Sequence, residues 1–535
     1  MKVRRAIRAR PGPAPVRSDA DALTRQDVAL IVLVTAVATA VRLLFPAIWS
    51  ERNALGSVFY AGDVRAFTDF AAAIVAGQPF DNGVPFHPPG WAHVLAAFYA
   101  LAGYDPAGGA AANPAAVKAF VAVVSGLACG ASAVLARLTG GRLALAAIAP
   151  LAVFHFGHTV QGTVANTEAL YGLMLAVLLS SLVLATRHGW LGVPEPGASR
   201  FGAVAAIGAL AGCAAVVRAE FLLGTALVGM LIARSGARPS RGLLVAAYAA
   251  GVAASLTPST VAHWRSIDAF NTRHAARLAA PLPRLAPVTS YGAFSFALAN
   301  HAEADGGPNS DHPLLVPANE DEEARLAAGL LDLSVASVHR LYVDGYGLGV
   351  RWWWEHPADA LVLLWRKSRI AYGALALGYG PLDAPMGPDG TRRRVDLVEP
   401  DVMWLAPLHL GLLIFGGYQL RRRAPAMAWL FAIPVVTLLA STWLFYGYVR
   451  LVVAYLPVLW VLQAVAIAAL AERAGLGRRL EARGLTVAAG ILVAGLVAVS
   501  AAALRPRVAV LDGPRNEDGQ VFVDETVRVR TQDPK

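Results

Sequence analysis

The side chains of this sequence that could do chemistry are carboxylates and cations placed beside long apolar runs. Asp63 lies beyond the first of these runs, and the segment His87-Pro88-Pro89 follows it along the chain. A carboxylate at a membrane surface can take a proton from a hydroxyl group as a general base. The alternative for Asp63 is a solvated loop aspartate, or the N-cap of a helix that begins at Val64.

Cations at the ends of apolar runs are the second kind of candidate. Arg450 begins one run, and Arg218 lies between two others, where Glu220 or a phosphate would be a suitable partner. A guanidinium can bind two phosphate oxygens at once, although a long cationic side chain at this depth can also extend to the aqueous interface. Lys367 lies in a later amphipathic stretch and could face lipid headgroups or a phosphate. We therefore predict that Arg450, with Lys367 or Arg218, binds a phosphate.

Three further polar residues are candidates for contacts with an acceptor or a metal ion, namely Glu168, His87 and Asn300. Glu168 follows Asn166-Thr167 at the start of an apolar run. This pattern suits a helix cap with a favourable charge on the helix dipole, and it equally suits a second carboxylate at the membrane surface. No spacing of His, Asp or Glu is typical of a metal site. A divalent metal therefore stays possible, with its identity unknown, and no other cofactor is indicated.

The composition defines the class of protein. The chain has 535 residues, of which 56% are hydrophobic and 15% are charged, and its mean hydropathy is +0.51. Soluble domains carry about 25% charged residues. The apolar runs have about the 20 residues that a helix needs to cross a bilayer. The sequence is therefore that of an all-α polytopic membrane protein.

The net charge of +10 has a topological explanation, because the arginines lie mostly in short loops between apolar runs, where basic residues set orientation. We therefore expect the basic residues to lie next to the lipid bilayer, and we expect no nucleic acid as a partner. Cys129 and Cys213 lie inside apolar runs and are expected to be packing residues rather than a disulfide. Because nothing resembles a phosphate-binding P-loop or a dinucleotide-binding GxGxxG motif, any sugar donor would have to be lipid-linked.

We predict about eleven transmembrane helices, with a range of eleven to thirteen. They form two groups separated by a polar stretch. The predicted spans are 28–48, 115–136, 142–158, 167–186, 201–217, 219–234, 243–262, 402–420, 426–446, 449–471 and 485–504.

The distribution of basic residues predicts the orientation. With the N-terminus in the cytoplasm, every basic cluster near a short loop lies on the cytoplasmic side. These clusters contain Arg137, Arg142, Arg187, Arg200, Arg234, Arg238, Arg241, Arg421, Arg422, Arg423, Arg473, Arg478, Arg479 and Arg483.

Two apolar stretches are left out of this count. The stretch 90–103 is short for a span, and 358–378 has Arg366, Lys367 and Arg369 at its middle, which is costly at the bilayer centre. We expect both to be helices at the outer interface. If both cross the membrane, the count rises to thirteen.

The resulting organisation has five parts. These are a cytoplasmic basic tail (1–27), an N-terminal transmembrane module (28–262) with a first outer loop (49–114), a large central extracytoplasmic loop with interfacial helices (263–401), C-terminal transmembrane helices (402–504) and an extracytoplasmic tail (505–535).

The order and placement of these features resemble the GT-C superfamily of membrane glycosyltransferases, in the family 39-like branch of protein O-mannosyltransferases and lipid A aminoarabinose transferases. The resemblance covers about 30 to 470. The matching segments are Gly62-Asp63, Gly77-Gln78-Pro79-Phe80, Pro88-Pro89 with the helix ending at Gly103, Glu168, Ala214 to Arg218, Trp264-Arg265, Ala299-Asn300, Ala304-Asp305-Gly306, Trp354 to Lys367, and Arg450 to Pro457. The Asp-Glu pair usual in the family is Asp63-Val64 here.

The resemblance implies a GT-C-like architecture, a polyprenyl-phosphate sugar donor and a cavity on the outer face of the membrane. It also implies that Asp63 is the catalytic carboxylate. Pro88 and Pro89 would shape the loop around this cavity. The expected acceptor is a glycolipid, a polysaccharide or a protein of the cell envelope.

We therefore predict an inverting glycosyltransferase of a bacterial plasma (inner) membrane, with its active site on the extracytoplasmic face. One alternative is a transporter or lipid flippase for an envelope glycolipid, which would hold its functional charges near the bilayer midplane and show internal repeats. A non-catalytic assembly protein is another. The one-sided placement of the candidate residues favours the enzyme.

Overall fold

The computed structural model describes residues 23–49, 63–78, 84, 86–103, 114–190, 197–235, 240–276, 278, 280–308, 312–317, 319–323, 332–333, 335–375, 382–386, 392–395 and 405–503. The predicted tail 505–535, most of the tail 1–27 and the Pro79-Phe80 motif lie outside these residues.

Most of the described residues are in helices. Their bounds are α1 Arg25–Trp49, α2 Asp63–Val75, α3 Gly90–Leu101, α4 Pro114–Phe154, α5 Phe156–Gln161, α6 Glu168–Arg187, α7 Ala198–Val217, α8 Phe221–Ser235, α9 Arg241–His274, α10 Gly292–Ala299, α11 Ala336–Glu355, α12 Pro357–Ala374, α13 Leu405–Arg423, α14 Pro425–Leu444, α15 Val449–Arg473 and α16 Gly477–Ala503. Two short antiparallel strands, β1 Leu382–Met386 and β2 Arg392–Val395, lie between α12 and α13.

The predicted all-α polytopic membrane class is confirmed. In the described part of the chain, eight helices are long and apolar enough to cross a membrane, and every predicted span overlaps a helix. The eight are Arg25–Phe45, Ala115–Phe154, Glu168–Arg187, Ala198–Val217, Arg241–His274, Pro425–Leu444, Arg450–Arg473 and Arg483–Ala501. The count of eleven crossings stays a prediction, because α8 has only 15 residues and α13 is not among the eight.

One long helical stretch, α4, supplies two of the predicted spans. Its backbone leaves the helical conformation at Gly141, where φ is 76° and ψ is −163°. On either side of this point the two arms run back along each other, since the Cys129 thiol donates to the Ala152 carbonyl oxygen over 3.1 Å. The arms are the predicted spans 115–136 and 142–158, joined by a tight turn that only glycine adopts without strain.

The turn of this hairpin is fastened to the start of α1. Asp27 is fully buried and accepts hydrogen bonds from Arg137 Nε at 3.0 Å and Arg142 Nε at 3.2 Å. Arg187, at the end of α6, donates to the Leu138 carbonyl oxygen. Arginines from two loops predicted to share one side therefore meet at one end of the bundle. Which side of the membrane this end faces stays a prediction.

The candidate site lies at the opposite end of the bundle. Helices α6, α7 and α15 each connect the two ends. At one end of these helices are Glu168, Arg218 and Arg450, and at the other are Arg187, Arg200 and Arg473.

A second, smaller core packs beside the site. Helix α9 has 34 residues, about 51 Å at 1.5 Å per residue, which exceeds the roughly 30 Å of a bilayer core. It continues past the predicted boundary at 262 because Ile267 is buried in this core with Leu282, Leu298 and Leu341. The core therefore joins the end of α9 to α10 and α11.

The glycine at the hairpin turn gives a first prediction. Gly141→Ala forces a side chain into a conformation that costs about 1–3 kcal/mol, so the substitution should lower the thermal unfolding temperature in detergent. The control is Gly202→Ala, because Gly202 is helical and a Cβ there meets nothing within 4 Å. Equal unfolding temperatures for both variants would contradict the strained turn.

Candidate active site at the polar end of a cavity

A cavity of about 750 Å³ lies at the end of the bundle that carries Glu168, Arg218 and Arg450. One end of it is charged, and its other walls are aromatic and apolar. The polar end is formed by Asp63, His87, Thr167, Arg218, Glu220, Tyr448 and Arg450, and the other walls include Leu282, Pro287, Tyr291, Tyr342, Tyr346, Phe445 and Tyr446. This size and this lining suit a small-molecule site.

Asp63 is held at the cavity by the amphipathic helix α2. Asp63 is its first residue, where a negative charge is favoured by the helix dipole. Val64, Phe67, Phe70 and Ala71 are buried in the main core, and α2 packs on α3. The burial of this apolar face fixes the direction of the first turn, so the Asp63 side chain points to the cavity with 46% of its surface exposed.

Arg450 joins the two predicted carboxylates. Its Nη1 donates to Asp63 Oδ2 over 3.1 Å, and its Nε donates to Glu168 Oε1 over 3.0 Å. The same Nη1 reaches the Tyr448 hydroxyl at 3.0 Å. The structure therefore brings Asp63, Glu168 and Arg450 together, although they come from three distant parts of the chain.

Arg218 reaches the same carboxylate from the other side. Its Nη1 donates to Glu168 Oε1 over 3.1 Å, and its Nε donates to Glu220. Glu168 is 1% exposed, and its second oxygen, Oε2, has no hydrogen-bond partner among the described residues. One carboxylate oxygen thus holds two guanidinium groups side by side at the cavity.

The side chains before α6 do not cap this helix. Thr167 makes no side-chain cap hydrogen bond, and its hydroxyl oxygen accepts from Arg218 at 3.2 Å. Asn166 Oδ1 accepts from the Thr167 backbone N–H at 2.9 Å. Glu168 therefore belongs to the charged network rather than to a simple helix end.

His87 closes the network beside Asp63. Its Nε2 lies 3.4 Å from Asp63 Oδ1, and its ring packs against Phe67 and Phe86 at centroid distances of 5.2 and 4.7 Å. Burial by itself would raise the pKa of Asp63, but the charges of Arg450 and His87 outweigh it and hold this pKa well below its usual range. Asp63 is therefore ionised, and weakly basic, at neutral pH.

Pro88 and Pro89 precede α3 and are buried. The first residue of α3, Gly90, lies so close to the end of α7 that a Cβ would stand 2.9 Å from the Val216 carbonyl carbon. One turn of the chain thus places the His87 segment directly against the helix that ends before Arg218.

Lys367 and Asn300, also predicted to be site residues, are not brought to Asp63. In the described structure neither lines the cavity. Both are buried, and Lys367 Nζ donates to Asn300 Oδ1 over 2.8 Å and to the Trp443 carbonyl oxygen over 3.1 Å.

Residues 282–291 form a wall of the cavity that was not predicted from the sequence. This extended segment is fixed by α9, since Asn271 bonds both the N–H and the C=O of Leu282 at 2.8 and 2.9 Å and His263 bonds the Ala286 carbonyl at 2.8 Å. The available signal was the spacing of Pro281, Pro283 and Pro287 after an apolar run, which favours a stiff extended segment.

No group of three or more His, Cys, Asp or Glu side chains among the described residues is arranged to hold a metal ion. The polar neighbours of Asp63 and Glu168 in this region are the arginines and His87.

Comparison with known proteins gives structural matches only. No family model and no curated protein matches this chain. The archaeal oligosaccharyltransferase AglB from Archaeoglobus fulgidus, in complex with an inhibitory peptide and a dolichol-phosphate, is similar with 13% identity and a TM-score of 0.44 over 90% of this chain and 55% of that chain.

Two further structures of the Archaeoglobus fulgidus oligosaccharyltransferase are similar at the same level. The one tethered with an acceptor peptide has 12% identity and a TM-score of 0.43 over 89% of this chain and 54% of that chain. The complex with Zn and sulfate has 12% identity and a TM-score of 0.45 over 91% and 54%. This chain spans about half the length of these structures.

The shared carboxylate oxygen gives the second prediction. Glu168→Gln removes the buried carboxylate that the two guanidiniums share and leaves each with one more exposed partner, Glu220 or Asp63, which should cost about 3 kcal/mol. Asp63→Asn removes a half-exposed charge whose ion pairs are screened by water, and should cost less than Glu168→Gln. Thermal unfolding in detergent should therefore show a large shift for Glu168→Gln and a small one for Asp63→Asn. A reversed order would contradict the assignment of Glu168 as the centre of the network.

Proposed function

We propose that this chain is a GT-C-type membrane glycosyltransferase that moves a sugar from a polyprenyl-phosphate-linked donor to an acceptor hydroxyl. The observation that carries the proposal is the pair of guanidiniums, Arg218 and Arg450, held on one Glu168 oxygen beside the Asp63 carboxylate. A cationic pair can stabilise a leaving phosphate, and a carboxylate beside it can act as a general base.

The arginine pair supports a phosphate as the leaving group. Both guanidiniums lie within 3.1 Å of Glu168 Oε1, so they are fixed before any ligand binds. Fixed N–H donors stabilise the negative charge that develops on a departing phosphate without the cost of rearrangement. Arginine also has the planar geometry that matches phosphate oxygens.

Asp63 would act as the general base. In the resting site Arg450 occupies Asp63 Oδ2. When the donor phosphate takes the Nη1 hydrogen bond from Asp63, while Arg450 Nε stays on Glu168, Asp63 loses this partner and its basicity rises. The proton of the acceptor hydroxyl passes to Asp63, and the acceptor oxygen forms a bond to the anomeric carbon. The bond from that carbon to the phosphate oxygen breaks, and its electron pair leaves with the phosphate. Attack opposite the leaving phosphate inverts the anomeric centre.

The position of the cavity supports an extracytoplasmic reaction. The cavity lies at the end of α6, α7 and α15 opposite Arg187, Arg200 and Arg473. Basic loops favour the cytoplasmic side, so the cavity would open on the outer face of a bacterial plasma membrane.

The transporter alternative is less well supported by the placement of charges. A transport pathway would hold its ionisable groups near the bilayer midplane, whereas the charged network here is at helix ends. One cation, Arg42, is buried within the bundle, but its donors are directed to Ser125, His158 and main-chain carbonyl oxygens. It ties α1 to its neighbours and does not line the cavity.

The test uses the full chain in nanodiscs with radiolabelled polyprenyl-phosphate sugars and a membrane extract as the acceptor. We expect the wild-type protein to transfer label and Asp63→Asn to reduce the rate by about 10²-fold or more, as for a lost general base. The matched control is Asp359→Asn, an exposed carboxylate in the first turn of α12, which should transfer at the wild-type rate.

Equal rates for Asp63→Asn and wild type would remove Asp63 from the mechanism. If the wild-type protein transfers no sugar from any donor but moves labelled lipid between leaflets, the transporter alternative replaces this proposal.

A further inference from the structure

Lys367 is a buried cation outside the cavity. Its side chain is fully buried, and its hydrogen bonds in the described structure go to Asn300 Oδ1 at 2.8 Å and the Trp443 carbonyl oxygen at 3.1 Å. Burying an ammonium group without a carboxylate is costly. Burial lowers the pKa of Lys367 to about 7, and the amine can donate both hydrogen bonds whether charged or neutral. These two hydrogen bonds replace part of the hydration that the buried amine loses.

Asn300, which binds Lys367, makes hydrogen bonds with both ends of its side-chain amide. Its Oδ1 accepts from Lys367 and from Trp353 Nε1 at 3.0 Å, and its Nδ2 donates to the carbonyl oxygens of Phe296 at 2.7 Å and Leu444 at 2.8 Å. Two donors and two acceptor positions are the full capacity of an asparagine amide. Asn300 therefore joins α10, α11 and α12 to the end of α14.

The segment 443–447, called here the Arg450 linker, accepts one hydrogen bond from Lys367, at the Trp443 carbonyl oxygen, and one from Asn300, at the Leu444 carbonyl oxygen. Besides the bonds to Trp443 and Leu444, the Gly447 N–H donates to the Gly306 carbonyl oxygen over 2.8 Å. Gly447 lies against the α12 backbone so closely that a Cβ would come 2.2 Å from the Lys367 carbonyl oxygen. The linker is thus fixed to α12 in two ways, by the hydrogen bond from the Lys367 side chain and by the packing of Gly447 on the Lys367 backbone.

The linker leads directly into the charged network. Tyr448 follows it as the residue before α15, and Arg450 lies in the first turn, with Nη1 on the Tyr448 hydroxyl, Asp63 and, through Nε, Glu168. A displacement of the linker would move the guanidinium by a similar amount. Because an error of about 1 Å in a catalytic group can reduce a rate by about 10²-fold, the position of the linker matters to the site.

We propose that Lys367 and Asn300 are positioning residues, which fix the Arg450 linker so that Arg450 is held ready for the donor phosphate without touching that phosphate themselves. This inference rests on the proposed function. It assigns to the two residues a role that differs from direct binding of phosphate or acceptor.

The binding test is a double-mutant cycle on the full chain in detergent, with farnesyl phosphate as the probe. Lys367→Met keeps the length of the side chain and removes both hydrogen bonds, and Arg450→Gln removes the guanidinium. We expect Lys367→Met to weaken binding by about tenfold. This is the effect of losing one charge-assisted hydrogen bond between the displaced Arg450 and the phosphate. In the Arg450→Gln background Lys367→Met should have no further effect, since it acts through Arg450.

The matched control is Lys118→Met, because Lys118 is a half-buried lysine in the first turns of α4 that does not line the cavity. It should bind farnesyl phosphate as wild type does. A tenfold loss from Lys367→Met in both backgrounds would mean that Lys367 binds the phosphate directly or acts through another group, and would overturn the proposal.

Hydrogen exchange of the backbone amides tests the positioning role without any ligand. Lys367→Met should speed exchange in peptides that contain the linker, where the Gly447 amide is bonded, and leave peptides from α2 and the start of α6 unchanged. If Lys367→Met does not fold, Asn300→Asp is the substitute, because it keeps the oxygen that faces Lys367 and loses both amide donors. Unchanged exchange in the linker would overturn the proposal.

The two experiments separate this inference from the function on which it rests. If the wild-type protein binds no farnesyl phosphate, the phosphate assignment fails, and hydrogen exchange still decides whether Lys367 and Asn300 fix the linker.

Discussion

The site depends on one carboxylate oxygen that accepts hydrogen bonds from two arginines. Glu168 Oε1 lies within 3.1 Å of both Arg218 and Arg450, and its buried position gives these contacts more electrostatic strength than they would have in water. Without this shared anion, the two guanidiniums would repel each other and separate. With it, a cationic pair stands at the polar end of the cavity, and Arg450 binds the Asp63 carboxylate that α2 holds there.

A carboxylate that binds two arginines also occurs at the other end of the bundle, where it has a different role. Asp27 also accepts from two arginines, Arg137 and Arg142, but it uses one oxygen for each. Asp27 therefore has both of its oxygens occupied and fastens the α4 hairpin to α1. Glu168 uses a single oxygen for both arginines, and these arginines line a cavity. We interpret the first as a structural cross-link and the second as a site prepared for an anion.

The class of the fold could be predicted from the sequence, because bilayer thickness fixes the length of apolar runs and the positive-inside rule fixes the ends at which basic residues collect. The charged network could be predicted only as separate residues. Asp63, Glu168 and Arg450 were each expected at one surface, but their shared contacts depend on how α2, α6 and α15 pack. Lys367 shows the limit most clearly, since a cation in an amphipathic helix was expected to face headgroups or phosphate and is instead fully buried.

The most direct measurement is a cryo-EM structure of the full chain in nanodiscs with a polyprenyl monophosphate bound. A phosphate within hydrogen-bond distance of both Arg218 and Arg450, with Glu168 still between them and Arg450 moved away from Asp63, is the predicted result. A phosphate bound elsewhere, with both arginines unmoved on Glu168, would contradict the assignment of this pair as the donor phosphate site.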